Sequence, residues 1–299
     1  TDHLPFVTLP KNFSRLPCVV RSLQRTDPEI AIWPFFQRAD AFSLNIRNAP
    51  FDDIRVRHAL QMALDLETIN DTYYGGFAQW HPPRYLGAKG YYTEWEEWPE
   101  ELKQYYTYDP EGAERLLDEA GYPRGADGVR FKFEHLHRDI ADLGIIEIAA
   151  GYWDDIGVDV TIGTADWGTL TGYWSEQNYE SIYGAMAREI PTPSMSAYGS
   201  EVPYQSEWMG GVENPDLAAT QAAFFAATSI DDQIMAAKQF GMALMTQHNN
   251  IGLPLAPSYQ ASQPWVKGFN GETRMGNFLF HTILARLWID QDLKREMGF

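Results

Sequence analysis

A chain of 299 residues, 44% of them hydrophobic and 21% charged, holds enough apolar side chain for one large core or two ordinary ones. Its net charge of -18 excludes nucleic acid as a partner, because phosphate binding needs a basic face, and its single cysteine, Cys18, excludes an internal disulfide. No apolar run reaches the roughly eighteen residues of a membrane-spanning helix, and Thr1 to Pro5 has neither the basic nor the apolar character of a signal peptide.

In chain order, Ala31–Phe36 and Ala41–Ile46 are short apolar pieces read as strands completed elsewhere in the fold. A helix is expected from about 53 to 70. Asp52 or Asp53 caps it, and Val56, Leu60, Ala63 and Leu64 form its apolar stripe. Residues 73–107 read as a long loop whose Glu94, Glu96, Glu97, Glu100 and Glu101 are a solvated acidic face. The next helix is bounded by Asp109 as cap, Pro110 at the first helical position and Gly121 at a left-handed exit. A strand over 129–136, a helix over about 140–155 stopped at Gly157, and an alternating strand through Val158, Val160 and Ile162 follow. Strand, helix and strand with short connections predict a parallel pair with a right-handed crossover. A short helix after Trp167, a strand over 179–187, helices opened by Asn214-Pro215 and by Ser229, and a strand over 251–255 complete the pattern.

Residues that could carry catalysis are scarce. There is no Gly-x-Ser-x-Gly elbow, no phosphate-binding glycine loop with a lysine and no His-Glu-x-x-His helix, and Cys18 has the context of a packed thiol. His135 and His137 share one strand face and could approach a metal together, but no third ligand is identifiable, so neither metal nor cofactor is expected. The chain is read as a binding protein rather than an enzyme, with a hydrolase as the alternative from another class.

Several motifs carry a resemblance. Phe51-Asp52-Asp53-Ile54-Arg55-Val56-Arg57 followed by Ala63-Leu64-Asp65, then Tyr108-Asp109-Pro110 with Leu116-Leu117 and Glu119-Ala120-Gly121-Tyr122-Pro123, stand in order with Gly157-Val158-Asp159-Val160, Asn214-Pro215-Asp216-Leu217 and Leu253-Pro254-Leu255. Together they resemble the family-5 extracellular solute-binding proteins, the peptide-binding subunits of ABC importers. The resemblance implies an α/β fold of the type II periplasmic-binding-protein kind, with a mixed sheet and flanking helices. It implies residues 1–43 as the end of an incomplete first lobe, 44–264 as the second ligand-binding lobe and 265–299 as a return to the first. Because the opening motif stands near the middle of family members, the chain is expected to be the later part of a longer protein. A membrane permease, a small-molecule or peptide ligand and the N-terminal half of the same protein are the implied partners. Its place would be periplasmic or extracellular, with a lipid anchor on the preceding segment.

The same resemblance supplies the candidate site. Relatives hold a peptide ammonium with a carboxylate before a Pro-x-Pro turn, and here Met186-Ala187-Arg188-Glu189 precedes Pro191-Thr192-Pro193. Glu189 stands at the carboxylate position, with Met186 in place of an aromatic, and it pairs either with a ligand ammonium or with Arg188. Trp167 and Trp174 stand where the family lines its cleft, as cleft walls or as core, and Tyr183 precedes the acid on its strand. A peptide is the expected ligand, with an oligosaccharide as the alternative within the family.

Overall fold

The computed structural model describes residues 6–9, 25, 29–36, 38–78, 90–139, 143–188, 215–255, 257–270 and 285–298. Its strands are β1 (Phe6–Leu9), β2 (Ala31–Phe36), β3 (Arg38–Leu44), β4 (Phe131–Arg138), β5 (Val158–Ala165), β6 (Ser181–Arg188), β7 (Asn250–Gly252), β8 (Pro257–Ser262), β9 (Val266–Lys267) and β10 (Trp288–Ile289). Its helices are α1 (Ile54–Met62), α2 (Leu66–Thr72), α3 (Glu100–Lys103), α4 (Pro110–Glu119), α5 (Gly144–Asp155), α6 (Trp167–Glu176), α7 (Pro215–Ala226), α8 (Ile230–Gln247) and α9 (Gln291–Glu296).

A five-stranded sheet of order β5-β4-β6-β3-β7 organises most of these elements. Strands β4, β5 and β6 run parallel, joined through α5 and α6, whereas β3 is antiparallel to both β6 and β7. The predicted parallel pair is therefore β4 and β5, in register from Phe131 opposite Val158 to Arg138 opposite Ala165. Alternation sends Phe133, with Phe42 of β3, to one face, where the main core gathers Leu60, Leu117, Ile146 and Trp153 from α1, α4 and α5. Leu136 and Ile182 point the other way, under Leu170 and Trp174 of α6, and Ala41 packs under Phe240 and Leu244 of α8. Trp153 ties the first face together by donating its indole N–H to the Leu60 carbonyl at 2.8 Å.

A smaller antiparallel sheet, β1-β8-β2, lies at the other end of two short connections. Residue 37 separates β2 from β3, and residues 253–256 separate β7 from β8, so the chain passes between the two sheets at these points. Strands β9 and β10 pair antiparallel, Val266 with Ile289 and Lys267 with Trp288.

Local chemistry explains the boundaries. Asp53, not Asp52, caps α1 by accepting from the Arg55 amide, and Asp109 caps α4 by accepting from the Gly112 amide. Gly121 and Gly157 take φ of 92° and 85°, the left-handed turns expected of them. A methyl group on Gly157 would meet the Gly128 carbonyl at 2.8 Å. The single helix expected over 53–70 is instead two. The break falls at residues 63–65 because the Asp65 side chain takes the Thr68 amide and starts a new helix. The expected loop of 73–107 contains α3 and short 3₁₀ turns at Trp95–Glu97 and Gln104–Tyr106, whose Trp98, Leu102 and Tyr106 are buried against α8.

Beyond its exposed first residue, Ile54, helix α1 is enclosed, with residues 56–62 all buried. Two of its polar side chains hold backbone that leads out of the large sheet. The Arg57 guanidinium donates to the carbonyls of Phe51 (2.6 Å), Asp52 (3.2 Å), Gln247 (2.9 Å) and His248 (3.1 Å). The Gln61 amide receives the Gly252 N–H at 2.6 Å and donates to the Gly252 carbonyl at 3.2 Å.

Candidate functional site

Parallel strands direct their carboxyl ends to one edge, where the loops that follow are free to meet a ligand. Here that edge is stepped. His135 pairs with Ser181 and Leu136 with Ile182, so continuing the register brings Arg138 level with Gly184. Strands β4 and β5 end together at Arg138 and Ala165, while β6 runs on to Arg188 beside β3 alone. Among the described residues, no strand therefore pairs with the end of β6 on the β4 side.

Two side chains stand at the step. Asp166 follows β5 and caps α6, accepting from the Gly168 and Thr169 amides, which places Trp167 at the first helical position. The Thr169 hydroxyl and amide hold the Asp166 carboxyl below its usual titration range. Arg138, on the same side of β4 as Leu136, lays its guanidinium over the Trp167 ring at 5.1 Å from the centroid. Its Nε is buried and has no hydrogen-bond partner among the described residues. The result is a half-buried cation on an aromatic plate, its Nε unpaired among the described residues.

Trp174 is 2% exposed and packs edge-on beneath Trp167, with centroids 5.2 Å apart, so it supports the plate from the core rather than lining an open wall. Tyr183 is 5% exposed and lies on the opposite face, its ring edge-on to His137 at 4.8 Å. His135 and His137 are both fully buried. His135 Nδ1 meets the Ser181 hydroxyl at 2.9 Å, and its Nε2 meets His137 Nδ1 at 3.1 Å. The pair that suggested a metal is thus engaged in a chain linking β4 to β6. Burial, reinforced by the neighbouring His137, holds His135 well below the usual imidazole range and keeps it neutral. Met186, Ala187 and Arg188 lie on β6, paired with β3 through Arg188 opposite Arg38 and Ala187 opposite Ala39. Glu189 lies outside the described residues.

The structure brings Trp167 and Trp174 together and adds Arg138, which the sequence reading passed over. A signal for it existed: a charged residue at the carboxyl end of a strand in a strand-helix-strand unit stands where such folds place ligands.

Residues 37–206, more than half of the chain, match the profile of the bacterial extracellular solute-binding proteins, family 5 middle region. The periplasmic oligopeptide-binding protein OppA of Salmonella typhimurium is 29% identical over 166 residues, covering 53% of this chain and 27% of that protein. Heme-binding protein A of Haemophilus influenzae is 31% identical over 148 residues, covering 48% and 25%. The chain thus spans about a quarter of the length of these curated relatives. Among solved structures, the periplasmic binding protein DppA of Helicobacter pylori, in complex with the peptide STSA, superposes with a TM-score of 0.73 at 18% identity. That match covers 96% of this chain and 53% of the other, and the shared architecture is the mixed α/β fold of periplasmic binding proteins.

Proposed function

This chain belongs to the bacterial extracellular solute-binding proteins of family 5, and we propose that it is the substrate-binding subunit, or part of one, of an ABC importer that takes peptides. The observation that carries the ligand class is the Arg138 guanidinium resting on Trp167 at the stepped carboxyl edge of β4, β5 and β6. A peptide offers a carboxylate, an ammonium and apolar side chains. Arg138 supplies a planar fork for the carboxylate, Trp167 an apolar wall, and Glu189, four residues beyond Ala185 in sequence, the anion for the ammonium. Peptide-binding relatives such as the OppA and DppA proteins support this reading.

Binding works by closure, with no bond made or broken. The two crossings at residue 37 and residues 253–256 act as the hinge between the large sheet and the lobe to which β1, β2 and β8 belong. Ligand contacts on both sides stabilise the closed form, and the membrane permease recognises it outside the cytoplasmic membrane. The half-buried Trp167 also favours one second reading, an oligosaccharide stacked on its ring.

Calorimetry on the full-length protein tests both readings. Trialanine with free termini is expected to bind. Amidating its carboxylate should weaken binding by about tenfold, and Arg138→Ala should erase the difference between the two peptides. Binding of maltotriose but not trialanine, or equal affinity for free and amidated peptides, would overturn the peptide assignment. Turnover of any of these ligands would overturn the binding-only mechanism.

A further inference from the structure

The packing of α1 against the end of α8 contains a pair of buried histidines that the binding reading does not use. His58 is stacked flat on Tyr105, with centroids 3.5 Å apart and planes at 11°, and meets His248 edge-on at 5.1 Å. His248 ends α8 in the left-handed conformation, with φ of 52°, and its ring faces Tyr106 at 4.8 Å. Both ring nitrogens of His248 and the Nε2 of His58 are buried with no hydrogen-bond partner among the described residues. A few residues on, β7 is pinned by Gln61 through Gly252, and the crossing 253–256 follows directly.

We infer that this joint is an acid-sensitive latch on the crossing segment: two neutral rings let α1 hold the end of α8 and β7, and a proton on either ring releases them and weakens ligand binding. The second clause rests on the proposed hinge.

Among the described residues, no carboxylate bonds either ring, although the Asp53 charge partly offsets that of Arg57 at His58. From α1 comes Arg57, whose guanidinium already grips the Gln247 and His248 carbonyls. From the preceding loop come Asp52 and Asp53, and Asp53 is engaged by Arg55 at 2.5 Å. The Gln104–Tyr106 turn offers Tyr105 and Tyr106, and the Tyr106 hydroxyl donates to the Met245 carbonyl at 3.3 Å. The end of α8 contributes Met245 and Gln247, and β7 contributes Asn250, all uncharged. Burial pushes His58 down to about 4, with the Arg57 charge adding to the effect, while burial, His58 and Arg57 hold His248 well below the usual range. In an opened joint both rings recover an ordinary value near 6.5. Each pH unit below that value therefore favours the opened form by up to about tenfold per ring, until the closed joint can itself take the proton.

Hydrogen exchange on the full chain reads the latch directly. After correction for the intrinsic pH dependence of exchange, the amides within 247–255 of the wild type (Pro254 has none) should exchange at least about tenfold faster at pH 5 than at pH 7.5. Amides of α4, which carries no histidine, should respond far less. In the double variant His58→Phe, which keeps the stack on Tyr105, and His248→Asn, which tolerates the left-handed cap, the acid response should vanish. If that variant fails to fold, His58→Phe alone should show a reduced response. Exchange at 247–255 that tracks α4 at both pH values, or an acid response kept in the variants, overturns the latch. Trialanine affinity of the full-length protein, measured at the same two pH values, should fall with acid in the wild type and not in the variant. An equal fall in both overturns the link to binding. Absence of trialanine binding at either pH counts against the proposed function, and the exchange result still decides the latch.

Discussion

Arg57 and Arg138 carry the same side chain, yet their surroundings put it to opposite uses. Arg57, inside the joint between α1 and α8, is 6% exposed and spends its donors on four backbone carbonyls. Arg138, at the step in the sheet, lies half-buried on a tryptophan with its Nε bonded to nothing among the described residues. A buried cation with four of its five N–H donors on backbone carbonyls fixes that backbone in place and has little left for a ligand. One on an aromatic plate with unused donors can still exchange water for a carboxylate. The contrast predicts that variants at the joint change stability and variants at the step change recognition.

The largest effect falls on Arg57. Replacing it with Met keeps the bulk of the stem but strands several carbonyls in a closed interior, and should cost about 3–5 kcal/mol in urea denaturation. A loss under about 1 kcal/mol would break the comparison, because Arg57 would then be no more structural than Arg138.

Acid comes next. His58 titrates near 6.5 when unfolded and at about 4 in the fold, so between those values the unfolded chain binds the extra proton. Stability from this residue is complete above pH 6.5 and is lost as pH falls toward 4, by up to about 3 kcal/mol. His135 and His248 shift in the same direction and steepen the slope. Denaturation midpoints at pH 7.5, 6 and 4.5 should fall in that order, and less steeply in His58→Phe. At Gln61, Leu would leave the Gly252 N–H and carbonyl unmet at a cost of about 2 kcal/mol, measured the same way.

What could be read in the sequence follows the same division. The apolar stripe of α1 and its aspartate cap were legible because local spacing determines both. The burial of Arg57, His58 and Gln61 was not, since a periodicity reading assigns polar residues to solvent and this helix has no solvent face from Val56 onward. The break at Asp65 was hidden because Ala63 and Leu64, between the two helices, are as buried as the stripe itself. In β4 the common face of His135 and His137 followed from alternation, but that Ser181 would bond His135 depended on β6 arriving beside β4 from distant sequence. Arg138 was missed because the strand was ended at 136, two residues short of the edge where its chemistry lies. Trp174 could not be divided between wall and core until Trp167 was seen edge-on above it.

The smallest stability change belongs to the step. Arg138→Ala removes one cation–π contact and a half-exposed stem, so it should shift the denaturation midpoint by no more than about 0.5–1 kcal/mol. Arg138→Lys should shift it less, yet should not restore peptide discrimination, because a point charge lacks the planar fork that grips both carboxylate oxygens. A lysine variant that distinguishes free from amidated trialanine as well as the wild type would show that charge alone acts at the step, and the geometry over Trp167 would then be incidental. If instead Arg138→Ala destabilises the fold as much as Arg57→Met, the two arginines serve the same structural end, and the step loses its claim to be the ligand edge.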